Sequence, residues 1–230
     1  MLKNKIPGHI SQSIIEGKAV NFFVNNSADW IQRQHDIGQF YEPEDLALIA
    51  SYMDSKTRYI DIGANIGNHV IYLQKFVGLK EITVIEPNPW SIEMLKINLK
   101  INDIYPIIDT SFLGYGLSNS DSVASISVPQ NNLGAARCVS DTSGTIKITT
   151  GDALLGDKEF DFMKIDVEGM EIKCLEGLEN IIAKSRPTIF IEIDNVNLKP
   201  FKDWCTKHNY EAKKMIKHYQ ENQNFLVVAN

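Results

Sequence analysis

Tyr59-Ile60-Asp61-Ile62-Gly63-Ala64-Asn65-Ile66-Gly67 runs from an apolar segment straight into a turn flanked by two glycines. The residues that follow place Val70, Ile71, Leu73, Phe76 and Val77 at helical spacing, so the stretch predicts a strand over 58–62, a tight loop and a helix over 67–77. The unit then repeats. Residues 81–86 read as a second strand, Asn88 as a helix cap, Pro89 as a first-turn residue, and Met94, Leu95, Ile97, Leu99 and Ile101 as the buried stripe of the next helix. A third strand is expected within 104–117, a fourth over 160–166, a fifth over 187–194 and two more over 210–216 and 225–229, with helices over 171–183 and 201–208. This alternation implies an α/β class: a Rossmann-like, mostly parallel seven-stranded sheet flanked by helices, with its ligand edge at the carboxyl ends of the strands. Residues 1–45 read as an N-terminal extension or lid on a domain spanning 46–230. Residues 118–150 read as an inserted β-hairpin flap, because Val123, Ile126, Val128, Ile146 and Ile148 alternate with polar residues around a Gly/Asn/Ser-rich middle.

Composition narrows the function. With 230 residues, 43% hydrophobic and 23% charged, the chain supports one ordered domain and has little room for a second. The net charge of −6 argues against nucleic acid as a partner, since a phosphate backbone calls for a basic face. The one cationic group, Lys213, Lys214, Lys217 and His218, reads as a solvated face. Cys138, Cys174 and Cys205 lack any C-x-x-C spacing for a metal or redox pair, which suits a reducing compartment. Neither a signal peptide nor an apolar run of membrane-spanning length is read, so the expectation is a cytoplasmic protein without a membrane partner. Ser11 to Ile15 form an amphipathic face that either docks a second copy in a homo-oligomer or packs onto this chain.

Glycines at 63 and 67 allow a sharp turn and a close backbone approach to a ligand. Glu86, ending the second strand, is placed to accept both hydroxyl protons of a ribose, and Pro87 and Asn88 lie beside it to contact a base. A nucleoside ligand follows. The dinucleotide fingerprint G-x-G-x-x-G fails, because positions 65 and 68 are both Asn. Asp61 would repel a pyrophosphate but can hold the ammonium of a methionine moiety through water, which favours S-adenosylmethionine.

These residues resemble the FkbM-type family of class I methyltransferases. The matching pieces are Phe40-Tyr41-Glu42, Asp61 to His69, Glu86-Pro87-Asn88, the specific run Lys164-Ile165-Asp166-Val167-Glu168-Gly169-Met170-Glu171, Arg186-Pro187 and Glu192-Ile193. The resemblance implies a class I methyltransferase fold and methyl transfer, commonly to a hydroxyl of a sugar or a polyketide-like natural product. Asp194-Asn195-Val196 departs from it and is similar to the metal-binding strand end of catechol-type O-methyltransferases, which leaves Mg²⁺ open.

The donor's methyl is already activated, so the protein must align the acceptor and take its proton. If the fourth and fifth strands are neighbours, Lys164 is expected opposite Glu192 as a structural pair, and Asp166 opposite Asp194 as a site. Catalysis falls to Asp166, Glu168 and His69. Tyr41, Glu42, Asp61, Gly63, Asn65, Gly67, Glu86, Pro87, Asn88 and Ser118 are assigned to the cofactor; Asn132, Arg137 and Asp194 to the acceptor, with Asn131 beside them; and Asp166, Asp194 and Asn195 to a possible Mg²⁺. The expected activity is O-methylation of a sugar or glycosylated small molecule. Its rivals are a catalytically silent S-adenosylmethionine-binding subunit and an N-methyltransferase, although the Asn/Asp-Pro-Pro-aromatic clamp of base-amino methylases is missing after the fourth strand.

Overall fold

The computed structural model describes residues 6–128 and 136–230. The chain opens with a hairpin, β1 (His9–Ile15) and β2 (Lys18–Val24), followed by α1 (Trp30–Asp36) and α2 (Pro43–Ala50). The repeating units are β3 (Arg58–Ile62), α3 (Asn68–Phe76), β4 (Glu81–Ile85), α4 (Pro89–Ile101) and the short β5 (Ile108–Asp109). The insertion carries β6 (Tyr115–Leu117), β7 (Ser122–Ser127), β8 (Arg137–Ser140) and β9 (Ile146–Thr149). Then come α5 (Gly151–Leu155), β10 (Phe162–Ile165), α6 (Glu171–Gly177), α7 (Glu179–Ser185), β11 (Thr188–Asp194), α8 (Leu198–His208), β12 (Tyr210–Ile216) and β13 (Asn222–Ala229).

Seven strands form one sheet in the order β12-β13-β11-β10-β3-β4-β5. The five from β11 to β5 are parallel, in keeping with the mostly parallel seven-stranded sheet expected, while β13 pairs antiparallel with both β11 and β12 at the edge. The central strands are apolar on both faces because helices cover both: all four residues of β10 and the last four of β3 are buried. The order in which successive strands are added reverses between β3 and β10, and the crevice outside a switch point of this kind is where open α/β sheets take their ligands.

Three expectations change. The register pairs Lys164 with Phe190 and Ile165 with Ile191, so Lys164 does not face Glu192; Asp166, one residue on, comes level with Glu192 rather than Asp194. The flap is more than a hairpin: β6, β9, β7 and β8 make a four-stranded sheet, with Ala124, Ile146 and Ile148 as its own small core. The N-terminal segment is partly foundation. Val20, Phe22, Val24 and Phe40 sit in the main core, and α4 holds the hairpin through Asn98 Oδ1, which accepts from Phe23 N at 2.7 Å, and Asn102 Oδ1, which accepts from Asn21 N at 3.0 Å. On the hairpin's other side Ile10 and Ile14 are exposed. No described helix is long and apolar enough to cross a membrane.

Candidate active site

Two cavities adjoin along the carboxyl edge of β3, β4, β10 and β11. One, of about 650 Å³ including its open mouth, is lined by Ile62, Ile85, Glu86, Pro87, Leu117 and Ile148 among others, with Ala136 and Cys138 contributed by the flap. The other, of about 1160 Å³ including its open mouth, is walled by Tyr41, Glu42, His69, Arg137, Lys164, Glu192 and Asp194. Gly63, Asn65, Asp166 and Glu168 line both. They form the passage between the two.

The first cavity suits a nucleoside: apolar walls for a flat base, with a carboxylate for vicinal hydroxyls at one end. Glu86 is 6% exposed and fixed by two backbone amides, Asn65 N at 2.7 Å and Asn88 N at 2.8 Å. Burial pushes its pKa up to about 7 against the pull of those amides. The glycines serve the protein's own packing more than a ligand's approach. A Cβ on Gly63, whose φ is 83°, would lie 1.9 Å from the Asp166 carbonyl oxygen, so β10 can reach the loop only if position 63 is glycine. On Gly67 a Cβ would meet Leu95 of α4 at 2.7 Å, and this residue lines neither cavity.

Beneath the passage lies a buried ion network. Lys164, 3% exposed, donates to Gly63 O at 2.8 Å and stands 3.3 Å from both Asp61 Oδ1 and Asp166 Oδ2. Burial alone would lower the Lys164 pKa, but Asp166 and Asp61 more than offset it and hold the ammonium charged. Asp61 is fully buried and is one of the residues behind the cavities, so it positions the loop through Lys164 rather than meeting a ligand ammonium. Asp166, Glu168 and Glu192 bring carboxylate oxygens within 4.8 Å of one another. Burial and then the Asp166 charge raise the pKa values of Glu168 and Glu192 above the carboxylate range, with Arg137 pulling Glu168 back. Arg137 reaches from β8 to Asp194 Oδ2 at 3.2 Å and Glu168 Oε2 at 3.5 Å, tying the flap to the strand ends. Glu42, Asn65 and Glu168 all have left-handed φ values of 47–52°, a strained conformation for non-glycine residues that gathers at functional sites.

His69 lines the second cavity with its Nε2 buried and without a hydrogen-bond partner; burial and the Lys164 charge hold its pKa well below the ordinary value, so the imidazole is neutral. Tyr41 and Glu42 are steered there by Asn68, whose Oδ1 accepts from Tyr41 N at 3.0 Å and whose Nδ2 donates to Tyr41 O at 2.9 Å. Burial and the neighbouring Asp45 charge push Glu42 up to about 7.

The methyltransferase FkbM domain matches residues 61–225. The chain belongs to the FkbM methyltransferase family. It is 29% identical over 185 residues to the hexuronic acid methyltransferase AglP of Haloferax volcanii, covering 78% of this chain and 72% of that one. Among solved structures it is similar to an FkbM methyltransferase from Methylobacillus flagellatus KT, with a TM-score of 0.56 and 16% identity, covering 85% of this chain and 52% of that one, so it spans about half that protein's length. It shares the fold of M. capricolum TrmK in complex with S-adenosylhomocysteine, with a TM-score of 0.53 and 17% identity over 80% of this chain and 67% of that one. The B. subtilis M1A22 tRNA methyltransferase TrmK also has this fold, with a TM-score of 0.52 and 13% identity over 80% of this chain and 65% of that one. The fold therefore does not exclude a nucleic-acid acceptor. These likenesses fix the architecture as that of class I methyltransferases.

Several expected ligand contacts of this FkbM-family chain are spent inside the protein. Asn88 caps α4, accepting from Trp90 N at 3.1 Å, though its Nδ2 is buried without a partner. Ser118 is buried at the flap junction, with its N–H on Thr149 O and its carbonyl where a Gly177 Cβ would sit, and lines neither cavity. The Mg²⁺ ligand set does not assemble. Asn195 donates to Gln220 O at 2.6 Å and accepts from Gln223 Nε2 at 3.2 Å, while Asp194 is paired with Arg137. Asn131 and Asn132 lie outside the described residues. Cys138, Ile148 and Met170, which line the first cavity, and Trp30 and Tyr219, which line the second, were not expected at the site, because only a residue type at an unknown distance from the ligand was visible.

Proposed function

We propose that this protein is an S-adenosylmethionine-dependent O-methyltransferase that modifies a hydroxyl of a sugar or glycosylated small molecule. The observation that carries this reading is the passage lined by Gly63, Asn65, Asp166 and Glu168, which joins a nucleoside-shaped cavity to an acidic one. When bound, S-adenosylmethionine supplies a methyl already activated as a sulfonium. Glu86 would hold the ribose hydroxyls, with Ile85, Pro87, Leu117 and Ile148 flanking the base. Carboxylates in excess of cations favour the positively charged donor.

Glu168 is the acceptor's general base. It stands at the passage, and its raised pKa brings a carboxylate close to neutral, where a base removes a hydroxyl proton best. Arg137 keeps enough of it ionised to act. The acceptor O–H bond breaks toward the Glu168 carboxylate as its oxygen takes the methyl, giving a methyl ether and S-adenosylhomocysteine. Glu192, held protonated by burial and the Asp166 charge, can donate a hydrogen bond to the acceptor, and neutral His69 can accept one. A sugar acceptor is supported by the hexuronic acid methyltransferase among the relatives. The acidic rim disfavours a phosphate backbone, and three unpaired cysteines suit a cytoplasmic setting.

Calorimetry with S-adenosylmethionine and S-adenosylhomocysteine, followed by transfer of labelled methyl to a panel of monosaccharides and glycosides, tests the reading. Glu86→Ala should weaken both nucleosides by about 1–3 kcal/mol. Absence of any heat with either in the wild-type protein ends it.

A further inference from the structure

Trp30 is the first residue of α1, is 45% exposed and lines the acidic cavity. Singly exposed apolar residues are ordinary on a protein surface, but this ring faces a cavity and is paired with a second aromatic. Its neighbour is Tyr219, from the turn between β12 and β13, stacked at 6.0 Å between centroids with the planes 30° apart. The pair arrives from distant parts of the chain, and the Tyr219 ring is held in place. Tyr219 Oη is hydrogen-bonded to Tyr41 Oη and lies 3.4 Å from Glu42 Oε1. The turn that carries it is pinned to α2 through fully buried Asp45, which takes His218 Nε2 at 2.9 Å and Asn224 Nδ2 at 2.6 Å. The result is an aromatic pair on the wall of the cavity, beside a row of carboxylates.

We infer that Trp30 and Tyr219 form the acceptor subsite, stacking on the C–H face of a pyranose ring while the adjacent carboxylates take its hydroxyls. An aromatic face supplies apolar contact with the ring carbons, and carboxyl groups match a hydroxyl-rich ligand, accepting from its O–H groups where ionised and donating to its oxygens where protonated, as Glu192 is. The base of the donor has its own apolar slot in the first cavity, so the wall is free for the acceptor. Trp30 also lies outside the segment that matches the family, 61–225, so the wall is assembled partly from sequence beyond it and sets specificity in this chain.

This inference rests on the proposed function, and the test separates the two. Methyl β-D-glucopyranoside, its 6-carboxylate and its 2-amino-2-deoxy analogue are titrated, with tetramethylammonium as a cation probe, into protein saturated with S-adenosylhomocysteine, followed by saturation-transfer NMR. At least one pyranoside should bind, with the strongest transfer at its axial C–H protons. Trp30→Ala should weaken it about tenfold or more and Trp30→Phe by less than about threefold, while S-adenosylhomocysteine affinity stays within about twofold in both. Pyranoside binding unchanged in Trp30→Ala, binding of tetramethylammonium alone, or no pyranoside bound by wild-type protein that does hold S-adenosylhomocysteine overturns the inference and leaves the donor site standing. Equal loss of both ligands in Trp30→Ala assigns the ring to the fold and overturns it too. Failure of the wild type to bind S-adenosylhomocysteine takes down both readings.

Discussion

Replacing Lys164 by Met keeps the volume and removes the charge on which the floor of the site is built. The ammonium, 3% exposed, is shared by Asp61 at 3.3 Å, Asp166 at 3.3 Å and the Gly63 carbonyl at 2.8 Å. Asp166 can turn to the open cavity, but Asp61 is fully buried and has no such escape. Stranding one partner of a buried pair costs about 3–5 kcal/mol. Part of that cost is avoided by protonation, since burial already raises the Asp61 pKa and Lys164 is the largest influence lowering it. With Lys164 gone the folded-state pKa climbs further. A carboxyl with a raised folded pKa contributes stability that is fully present below its ordinary value and lost as pH rises through the folded one. Both proteins lose stability as pH rises to the wild-type folded pKa of Asp61; above it the variant alone goes on losing about 1.4 kcal/mol per pH unit until its own, higher folded pKa is passed, then levels off. Urea denaturation of both proteins between pH 5 and pH 8 measures this directly. Asp61→Asn added to Lys164→Met should recover most of the loss at pH 8. A single variant less than about 1 kcal/mol below wild type at pH 8, or a double variant no better than the single, refutes the idea that Lys164 neutralises Asp61.

Gly63→Ala should cost more than the about 1–3 kcal/mol of its left-handed backbone, because its methyl would press on the Asp166 carbonyl; Gly17→Ala, with φ 77° and open space around it, is the control that pays for the conformation alone, and equal melting temperatures for the two would dispose of the clash. Because burial raises Glu86 to about 7 and ribose hydroxyls need it ionised, donor affinity should drop about tenfold per pH unit below 7 and flatten above it, and Glu86→Gln should erase that slope in calorimetric titrations from pH 5.5 to 8.

Much of the architecture was legible because it depends on short-range pattern. Strand β3 begins and ends where the alternation of residues 58–62 places it, and Asn88 caps α4 as its side chain and the following Pro89 predict. What the pattern could not supply was register across the sheet. Lys164 and Glu192 read as partners within neighbouring strands, but whether 164 meets 190 or 192 is decided by how far each parallel strand slides before its own loop closes. Position 68 illustrates a second limit. Asn68 served only to rule out a dinucleotide fingerprint, yet its amide grips both backbone groups of Tyr41, a contact 27 residues distant that no local rule announces. Residues 41 and 42 were legible as site residues from the family resemblance, whereas Trp30 and Tyr219 carry no motif and meet only when both chain ends fold onto the same cavity.

The same electrostatics that make the pocket costly to build give it direction. Glu42, Asp166, Glu168, Glu192, Asp194 and Glu221 line the larger cavity against Arg137 and Lys164, and both cations are already committed to carboxylates. Such an imbalance can be relieved by taking up protons, which is what the raised pKa values of Glu42, Glu168 and Glu192 express, or by admitting positive charge. On the proposed reading the donor brings a sulfonium, and methyl transfer removes that charge while delivering a proton to Glu168. Substrate and product thus differ by the one unit of charge the cavity responds to. On that reading Glu192 is neutralised by its proton, and the carboxylates that remain ionised would favour the charged donor over the neutral thioether and so assist exchange between them.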